Sequence, residues 1–420
     1  MKLFLLSLLI LLNVQLSAAQ EDSPVILLPE WVFDGVEMHQ GWAVVIQEEH
    51  ILFAGPASEI DERFSSFDEK TLPGNTLMPG LIEGHSHLLL YPYNERSWND
   101  QVLKESPELR AIRGAKNAEI SLKRGITTMR DLGSEGAGYA DVAIRDAINN
   151  GIIQGPDMIV AGPALVATGS YGPKGFHAGV HVPLGAEEAD GVEGVKIAVR
   201  RQIGNNVDFI KVYADYRWGP NGGARPTFTV DELKSMVETA ESSGRYVVAH
   251  ASTVEGMRRA ILAGVETIEH GDEVNEEILG LMAEHNVALC PTLGAVEAIT
   301  RYSGYDPATD ELPERLALKR SSFQKALDSG IEIVFGGDVG VFTHGENAWE
   351  LELMVEYGMK EIDALRSATS GNAKVFHLED RGMIANGYRA DIIIVAGNPV
   401  EDISVCRQPA AVMKNGVWVN

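Results

Sequence analysis

Residues 77–87 read LMPGLIEGHSH, and this stretch decides the fold. It is an apolar run that closes on two histidines, His85 and His87. Further runs of the same kind, rich in β-branched residues and closed by a small or polar residue, follow along the chain. They lie at 126–132, 158–169, 209–214, 246–252, 267–272, 288–293 and 331–339. Continuous apolar runs are typical of parallel strands that are buried on both faces.

Segments with helix signals separate these runs. Residues 106–125, 229–244 and 253–264 each open on a serine or threonine and close on a glycine. The span from His87 to Asp338 matches the roughly 250 residues of an eightfold barrel. A doubly wound sheet would normally carry a glycine-rich nucleotide loop, and neither GxGxxG nor GxxxxGK[ST] occurs in this chain. We therefore expect an α/β fold of the (β/α)8 TIM-barrel type.

Both ends of the chain have a different, β-rich pattern. Short β runs lie at 25–28, 41–47, 51–54, 390–396 and 410–419. Asn415-Gly416 lies inside the last run and predicts a hairpin turn. We expect a small β-sandwich domain built from residues 20–77 and 378–420, with the barrel over residues 78–377.

Composition and charge narrow the class of protein. The chain has 420 residues, 45% hydrophobic and 23% charged, which excludes disordered and collagen-like classes. Its 60 acidic residues outnumber its 35 basic ones, so the formal net charge is −25. A surface of this sign repels nucleic acids and anionic lipid headgroups, and we expect neither as a partner. Cys290 and Cys406 are too few for a disulfide framework, although a single bridge between them stays open.

Residues 1–19 have the pattern of a secretory signal peptide. Lys2 supplies the positive start, residues 3–14 are almost wholly apolar, and Ser-Ala-Ala at 17–19 forms a cleavage site. The apolar run is shorter than the roughly 20 residues of a membrane anchor. We expect a secreted or periplasmic protein with no membrane partner after cleavage.

The predicted strand ends carry residues suited to metal binding, and in a barrel these ends meet at one mouth. His85 and His87 are two residues apart and share one face of a strand, although such a pair can also be buried core histidines. Lys211 lies in the middle of an apolar strand, where an isolated ammonium is costly. Carboxylation by carbon dioxide would turn it into an anion with two oxygens. The candidate ligands are His85, His87, Lys211, His250, His270 and Asp338.

These segments resemble the amidohydrolase superfamily. The resemblance rests on PGLIEGHSH, DFIKVYAD, VVAHAS, IEHGD, CPTL and FGGDVG and covers essentially the whole mature chain. It points to the metal-dependent branch with Xaa-Pro dipeptidases, imidazolonepropionase-like proteins and ochratoxin-degrading amidohydrolases. His344 lies in a stretch similar to the HGxN motif of that branch. Residues 214–218 depart from the glycine-rich segment of many relatives, and this departure puts the substrate preference in doubt.

The resemblance implies a site with two divalent ions. His85, His87 and Asp338 would hold one ion, His250 and His270 the other, and N6-carboxylated Lys211 would bridge them. Zinc is the expected metal, with manganese or cobalt as alternatives. A hydroxide shared by the ions would attack the amide carbonyl, while Asp338 would take its proton and pass it to the departing amine.

Substrate contacts are expected from loops near the mouth. The candidates are Tyr171, Lys174, His177, His181, Arg217, Arg225 and His344. For the cations, ordinary solvated surface is the competing interpretation. Tyr213 would stabilise the oxyanion, unless it is a packed core tyrosine. Arg130-Asp131 is either a structural ion pair below the metals or a substrate contact.

The sequence therefore predicts an exported binuclear metallohydrolase that cleaves an amide next to a free carboxylate. The small-molecule substrate would be an Xaa-Pro dipeptide or an N-acyl amino acid, including ochratoxin-type amides. A lactonase or phosphotriesterase with the same metal cage, a serine mechanism through Ser86 and a catalytically silent binding protein are the alternatives. A homo-oligomer is left open.

Overall fold

The computed structural model describes residues 24–177 and 179–419 of the chain. The predicted signal peptide at 1–19 lies outside the described residues. None of the helices in this described part is long and apolar enough to cross a membrane. Cys290 and Cys406 are both free and buried, so the bridge that the sequence left open is not formed.

Strands and helices alternate through the middle of the chain, and strands dominate both ends. The strands are β1 (Val25–Phe33), β2 (Met38–Gln40), β3 (Trp42–Gln47), β4 (His50–Pro56), β5 (Asp68–Pro79), β6 (Leu81–Ser86), β7 (Ile126–Asp131), β8 (Asp157–Val160), β9 (Leu165–Val166), β10 (Glu187–Glu188), β11 (Ile210–Tyr213), β12 (Asp215–Tyr216), β13 (Arg225–Pro226), β14 (Val247–Ala251), β15 (Thr267–His270), β16 (Ala288–Cys290), β17 (Ile392–Ala396), β18 (Ala411–Lys414) and β19 (Val417–Trp418). The helices are α1 (Trp98–Lys104), α2 (Pro107–Lys123), α3 (Ala140–Asn149), α4 (Gly191–Gly204), α5 (Val230–Glu241), α6 (Val254–Ala263), α7 (Glu276–His285), α8 (Leu293–Tyr302), α9 (Glu314–Ser329), α10 (Trp349–Glu356), α11 (Glu361–Ser367) and α12 (Ser370–Val375).

Strands from both chain ends form one sheet, in the order β19-β18-β17-β5-β1-β3-β4, with β2 paired to β1. The two ends meet where β17 runs antiparallel to β5. Side chains alternate between the two faces of this sheet. Leu27 and Val44 belong to one apolar cluster, whereas their neighbours Ile26 and Val45 belong to another. Strands from the two chain ends therefore lie in one sheet with apolar clusters on both faces.

The middle of the chain forms parallel sheets, β6-β7-β8 and β10-β9-β11-β14-β15-β16. The expectation of parallel strands alternating with helices is confirmed. Residues 331–339, predicted as a regular eighth strand, instead make isolated parallel bridges, Leu289↔Ile333 and Ser86↔Val339. Asp338 has a positive φ of 61°, and this turn interrupts the extended backbone next to Val339.

The predicted helix caps are present. Thr229 and Glu232 form a reciprocal capping box at the start of α5. Thr253 caps α6, which ends at Gly264 in the left-handed conformation. These caps fix where each helix begins, and thereby the loops that join it to the strand ends.

An ion cluster ties the terminal sheet to the parallel sheets. Asp157, at the start of β8, accepts from Arg381 at 2.6 Å, and its carboxylate lies 2.8 Å from Arg389 and 2.6 Å from Lys414. Burial alone would raise the pKa of Asp157, but these three cations lower it overall. The carboxylate is therefore ionised at neutral pH, and its contribution to stability is lost only as the pH falls through the lowered value.

We predict that Asp157→Asn lowers the free energy of unfolding by about 2 kcal/mol at neutral pH. The loss is smaller than the roughly 3–5 kcal/mol of a fully buried pair, because the Asp157 side chain is 21% exposed. Urea unfolding measures the change. Glu332→Gln, which removes a solvent-exposed pair with Lys374, is the control, with an expected loss below about 1 kcal/mol. Equal losses in both variants would contradict the assigned role of Asp157.

Candidate active site

His85 lies near the end of β6 and is oriented by a buried carboxylate. Its Nδ1 donates to Oε2 of Glu269 over 2.8 Å, which leaves Nε2 free on the opposite side of the ring. Glu269 in turn accepts from Arg130 at 2.8 Å. Arg130, Glu269 and His85 are all buried. The arrangement fixes the tautomer of His85 with Nε2 as an available acceptor.

His87 and Asp338 face each other beside this ring. Nε2 of His87 lies 3.4 Å from Oδ1 of Asp338, and Nε2 of His85 lies 3.7 Å from the same oxygen. Nδ1 of His87 donates to the carbonyl of Gly133 over 3.0 Å. Oδ1 of Asp338 is buried and has no hydrogen-bond partner among the described residues. Two ring nitrogens and one unpartnered carboxylate oxygen thus converge on one point.

His250 and His270 extend the cluster on the neighbouring strands β14 and β15. Their ring centroids lie 4.5 Å apart, and that of His270 lies 5.1 Å from His85. Nδ1 of His270 lies 2.8 Å from the hydroxyl of Thr292, so its Nε2 is the nitrogen available to a ligand. His85, His270 and Asp338 each offer a ligand atom within 4.8 Å of the others.

Lys211 lies on β11, next to β14, and is buried. Burial lowers the pKa of its ammonium group to about 8. Burial is also the main cause that lowers the pKa of His250 to about 3 and holds the pKa of His270 well below its usual value. These imidazoles are neutral at physiological pH, the state in which histidine binds a metal.

Burial also shifts the pKa values of two carboxylic acids near the cluster, Asp338 and Glu83. Desolvation raises the pKa of Asp338 to about 6 and that of Glu83 to about 7. For His87, the carboxylates of Asp338 and Glu135 outweigh the effect of burial and raise the pKa. The cluster therefore holds groups that exchange protons near neutral pH.

Sequence reasoning missed Glu83 and Glu269. Glu83 accepts from the backbone N–H groups of His85 and Gly337 and from the side chain of Asn347. The charged residue within each apolar strand was the available signal, since the same reasoning had selected Lys211. Of the two alternatives left open for Arg130-Asp131, the structure shows Arg130 in a buried ion pair, with Glu269 as its partner and not Asp131.

The cluster opens into a cavity of about 550 Å³. Aromatic side chains form one part of the lining: Tyr93, Trp98, Tyr171, Tyr213 and Tyr216. Aliphatic side chains form another: Ala295, Val296, Ile299, Leu318 and Val341. Two guanidinium groups, those of Arg217 and Arg315, also line it. Neither arginine has an ion pair in the described part of the chain, and Arg315 was missed by the sequence analysis.

The structure brings some predicted substrate residues to the cavity and not others. Tyr171, Tyr213 and Arg217 line it. Lys174 lies on the surface, where it donates to the carbonyl of Arg217 over 3.0 Å. His177 and His181 are exposed, and His177 accepts from the backbone of Gly179. Arg225 lines a separate groove.

His344, expected to contact the substrate, does not line the cavity, whereas Tyr213, expected to stabilise the oxyanion, does. His344 lies behind the cavity wall, where its Nε2 donates to the carbonyl of Leu90 over 3.1 Å. Burial lowers the pKa of His344 to about 4. The phenol of Tyr213 lies 3.5 Å from Oε1 of Glu135, and its ring stacks on His250 with centroids 4.5 Å apart. Tyr213 thus contacts the ligand cluster at His250, and Asp338 lies beside His85 and His87 within it.

The family follows from the sequence match. A model of the amidohydrolase family matches residues 76–419. The chain belongs to this family. As an amidohydrolase it is a hydrolase that acts on C–N bonds. Metal dependence is typical of the superfamily, in keeping with the ligand cluster described above.

Individual amidohydrolases resemble the chain over most of its length. The ochratoxinase of Aspergillus niger is 31% identical over 408 residues, which cover 90% of this chain and 81% of the relative. A crystal structure of a Xaa-Pro dipeptidase with bound methionine in the active site superposes with a TM-score of 0.84 and 31% identity, covering 94% of this chain and 99% of the other. The crystal structure of A. niger ochratoxinase gives a TM-score of 0.80 at 28% identity, covering 94% and 95%.

We predict that Thr292→Val weakens divalent metal binding of this amidohydrolase about tenfold, because it removes the hydroxyl that orients His270. Competition with a metal chelator measures the affinity. Thr300→Val is the matched control, since its hydroxyl donates to the backbone of Val296 within α8. Unchanged affinity in Thr292→Val, or an equal loss in both variants, would contradict the assigned role of Thr292.

Proposed function

We propose that this protein is an exported binuclear amidohydrolase that cleaves an amide bond next to a free carboxylate. One observation carries the proposal: the cluster around His85, His270 and Asp338 opens into the cavity that Arg217 and Arg315 line. A reactive centre and a pair of cations free to bind an anion thus share one pocket. The substrate class is a dipeptide such as Xaa-Pro, or an N-acyl amino acid, including ochratoxin-type amides.

The donor set fits divalent metal ions. The Nδ1 atoms of His85 and His87 donate to protein acceptors, so each ring offers Nε2. The buried, unpartnered Oδ1 of Asp338 lies between them. His85, His87 and Asp338 would hold one ion, and His250 and His270 the second. Imidazole and carboxylate ligands suit zinc, with manganese or cobalt as alternatives.

Lys211 is proposed to carry an N6-carboxylate, whose two oxygens would help to hold both ions. Its burial, together with a pKa of about 8, supports this proposal. The lowered pKa increases the neutral fraction of the amine near neutral pH, and the neutral nitrogen can attack carbon dioxide with loss of one proton. The resulting anion removes the cost of a buried ammonium group.

Bound ions would supply a water of lowered pKa and polarise the amide carbonyl. The protein residues then control the proton. Asp338, with its pKa raised to about 6, takes a proton from the attacking water and delivers it to the leaving amine. Glu83 holds Gly337 and His85 through their backbone N–H groups, which fixes Asp338 relative to the histidines.

Arg217 and Arg315 would bind the free carboxylate of the substrate. Guanidinium groups match carboxylate geometry, and neither has an ion pair within the described ranges. The names of similar proteins support this substrate class: an ochratoxinase, a Xaa-Pro dipeptidase and a prolidase complexed with N-methylphosphonate-L-proline. A lactonase or phosphotriesterase has no need for such cations, so this alternative is disfavoured.

The finer fold and the location of the protein belong to the same proposal. Bridges from residues 331–339 to both β16 and β6 support a closed (β/α)8 barrel over 78–377. The shared sheet of β5 and β17 supports a β-sandwich domain from 20–77 and 378–420. The apolar run and cleavage pattern of residues 1–19 support export to a secreted or periplasmic location.

We predict hydrolysis of at least one compound in a panel of N-acyl amino acids and Xaa-Pro dipeptides by the metal-loaded protein. Arg315→Met should raise KM for that substrate about tenfold or more, because it removes a charged hydrogen bond to the carboxylate. Arg225→Met is the matched control outside the cavity and should leave KM unchanged. Cleavage of amide-blocked substrates as fast as free carboxylates would contradict the proposal.

We predict that Asp338→Asn lowers kcat at least about a hundredfold, since an asparagine cannot accept the proton. The variant keeps the side-chain volume and one oxygen, so the melting temperature of the metal-loaded protein should change little. Metal content is checked on the same preparation. A variant within a few-fold of the wild-type kcat would remove Asp338 from the mechanism.

A further inference from the structure

Glu135 is a buried carboxylate in the cavity wall that the proposed mechanism does not use. It follows β7 in the loop that leads to α3, and its side chain is 3% exposed. Its backbone has a positive φ of 49°, which costs a non-glycine residue free energy. The surrounding structure holds this conformation, since Arg110 donates to the carbonyl of Glu135 over 2.6 Å.

The two oxygens of Glu135 have unequal partners. Oε2 accepts from Nε1 of Trp98 and from the hydroxyl of Tyr171, both over 2.7 Å. The contacts of Oε1 are longer: the hydroxyl of Tyr213 at 3.5 Å and Nδ1 of His87 at 3.8 Å. That nitrogen of His87 already donates to the carbonyl of Gly133. Oε1 therefore keeps acceptor capacity towards the cavity.

Glu135 has no ion-pair partner among the lysines and arginines of the described residues, because the neighbouring Arg110 donates to the backbone carbonyls of Ser134 and Glu135 and not to the carboxylate. His87 must be neutral to serve as a metal ligand. A buried anion of this kind is stable when a ligand supplies the missing charge. The cavity thus offers an anion on the β7 side, while Arg217 follows β12 and Arg315 lies at the start of α9, near the carboxylate of Asp272.

A dipeptide carries complementary charges at its two ends. Its carboxylate matches the two arginines, and its α-ammonium group matches Glu135. An N-acyl amino acid has the carboxylate but lacks the ammonium group. We propose that Glu135 binds the α-ammonium group of the substrate, so that the enzyme prefers dipeptides with a free N-terminus to N-acyl amino acids. This inference rests on the proposed function and selects within its substrate class.

Glu135→Gln removes the negative charge of the side chain and keeps its size and shape. A glutamine oxygen in the position of Oε2 still accepts from Trp98 and Tyr171, so the loop that carries Tyr171 keeps its anchor. The substitution removes the negative charge and turns the cavity-facing atom into a donor. A role that depends on an ammonium ligand is lost, whereas an anchoring role is largely kept.

The test compares two substrates that differ in one group: an alanyl amino acid and its propionyl analogue, which lacks the amino group. The leaving amino acid is the one that the panel identifies. We expect the wild-type enzyme to prefer the alanyl compound in kcat/KM. Glu135→Gln should lower this preference about 10- to 100-fold, mainly through KM, with the propionyl compound changed no more than about twofold.

Glu273→Gln is the matched control, because it removes a carboxylate from another part of the same cavity lining and should leave the preference unaltered. An unaltered preference in Glu135→Gln overturns the inference. An equal loss for both substrates also overturns it and makes Glu135 an anchor of Trp98 and Tyr171. An equal loss of preference in Glu273→Gln would mean that the total negative charge of the cavity, and not Glu135, sets the preference. That result also overturns the inference.

A measurement of equilibrium binding tests this inference independently of the proposed function. Calorimetry with alanyl-proline and propionyl-proline, on the Asp338→Asn protein with and without Glu135→Gln, needs no turnover. Tighter binding of alanyl-proline that Glu135→Gln abolishes supports the inference even if the panel shows no hydrolysis. Equal binding of the two compounds overturns it even if the panel succeeds.

Discussion

The rest of the site depends on the hydrogen bonds that the carboxylate of Glu83 accepts. This carboxylate is buried and accepts three hydrogen bonds, from His85 N–H, Gly337 N–H and the Asn347 side chain. These donors lie on β6, on the segment before Asp338 and on the loop that follows it. One side chain thus sets the distance between the histidine pair and the aspartate. The close approach also requires Gly336, where a Cβ would lie 2.7 Å from the His85 nitrogen.

Four non-glycine residues in and beside the cavity have strained backbone conformations. Glu135, His270, Thr292 and Asp338 are non-glycine residues with positive φ values of 49°, 77°, 51° and 61°. Such conformations cost roughly 1–3 kcal/mol each and persist only when the surrounding structure holds them. Here the packed parallel strands and the buried hydrogen bonds hold them, and the strain turns polar side chains towards a common point. The strain at the site therefore lowers the free energy of unfolding of the protein.

Much of this arrangement was predictable from the sequence, for a physical reason. Parallel strands end on one side of a sheet, so polar residues that close successive apolar runs must meet, as His85, His270 and Asp338 do. Arg315 and Glu135 lie in loops or at a helix start, where no periodicity relates position to direction. His344 was expected to contact the substrate, but in the HGEN stretch it is Asn347 that contacts the site, by donating to Glu83. The sequence did not predict the irregular backbone of residues 331–339, because the positive φ of Asp338 depends on tertiary contacts.

The buried cluster is proposed to be a two-metal hydrolytic centre. The most direct test strips the protein with a chelator, adds zinc back in measured steps, and follows both bound metal and amide hydrolysis. Activity should be absent without metal and should rise until about two ions are bound per chain. Full activity in the metal-free protein, or no specific metal binding at all, would contradict this proposal.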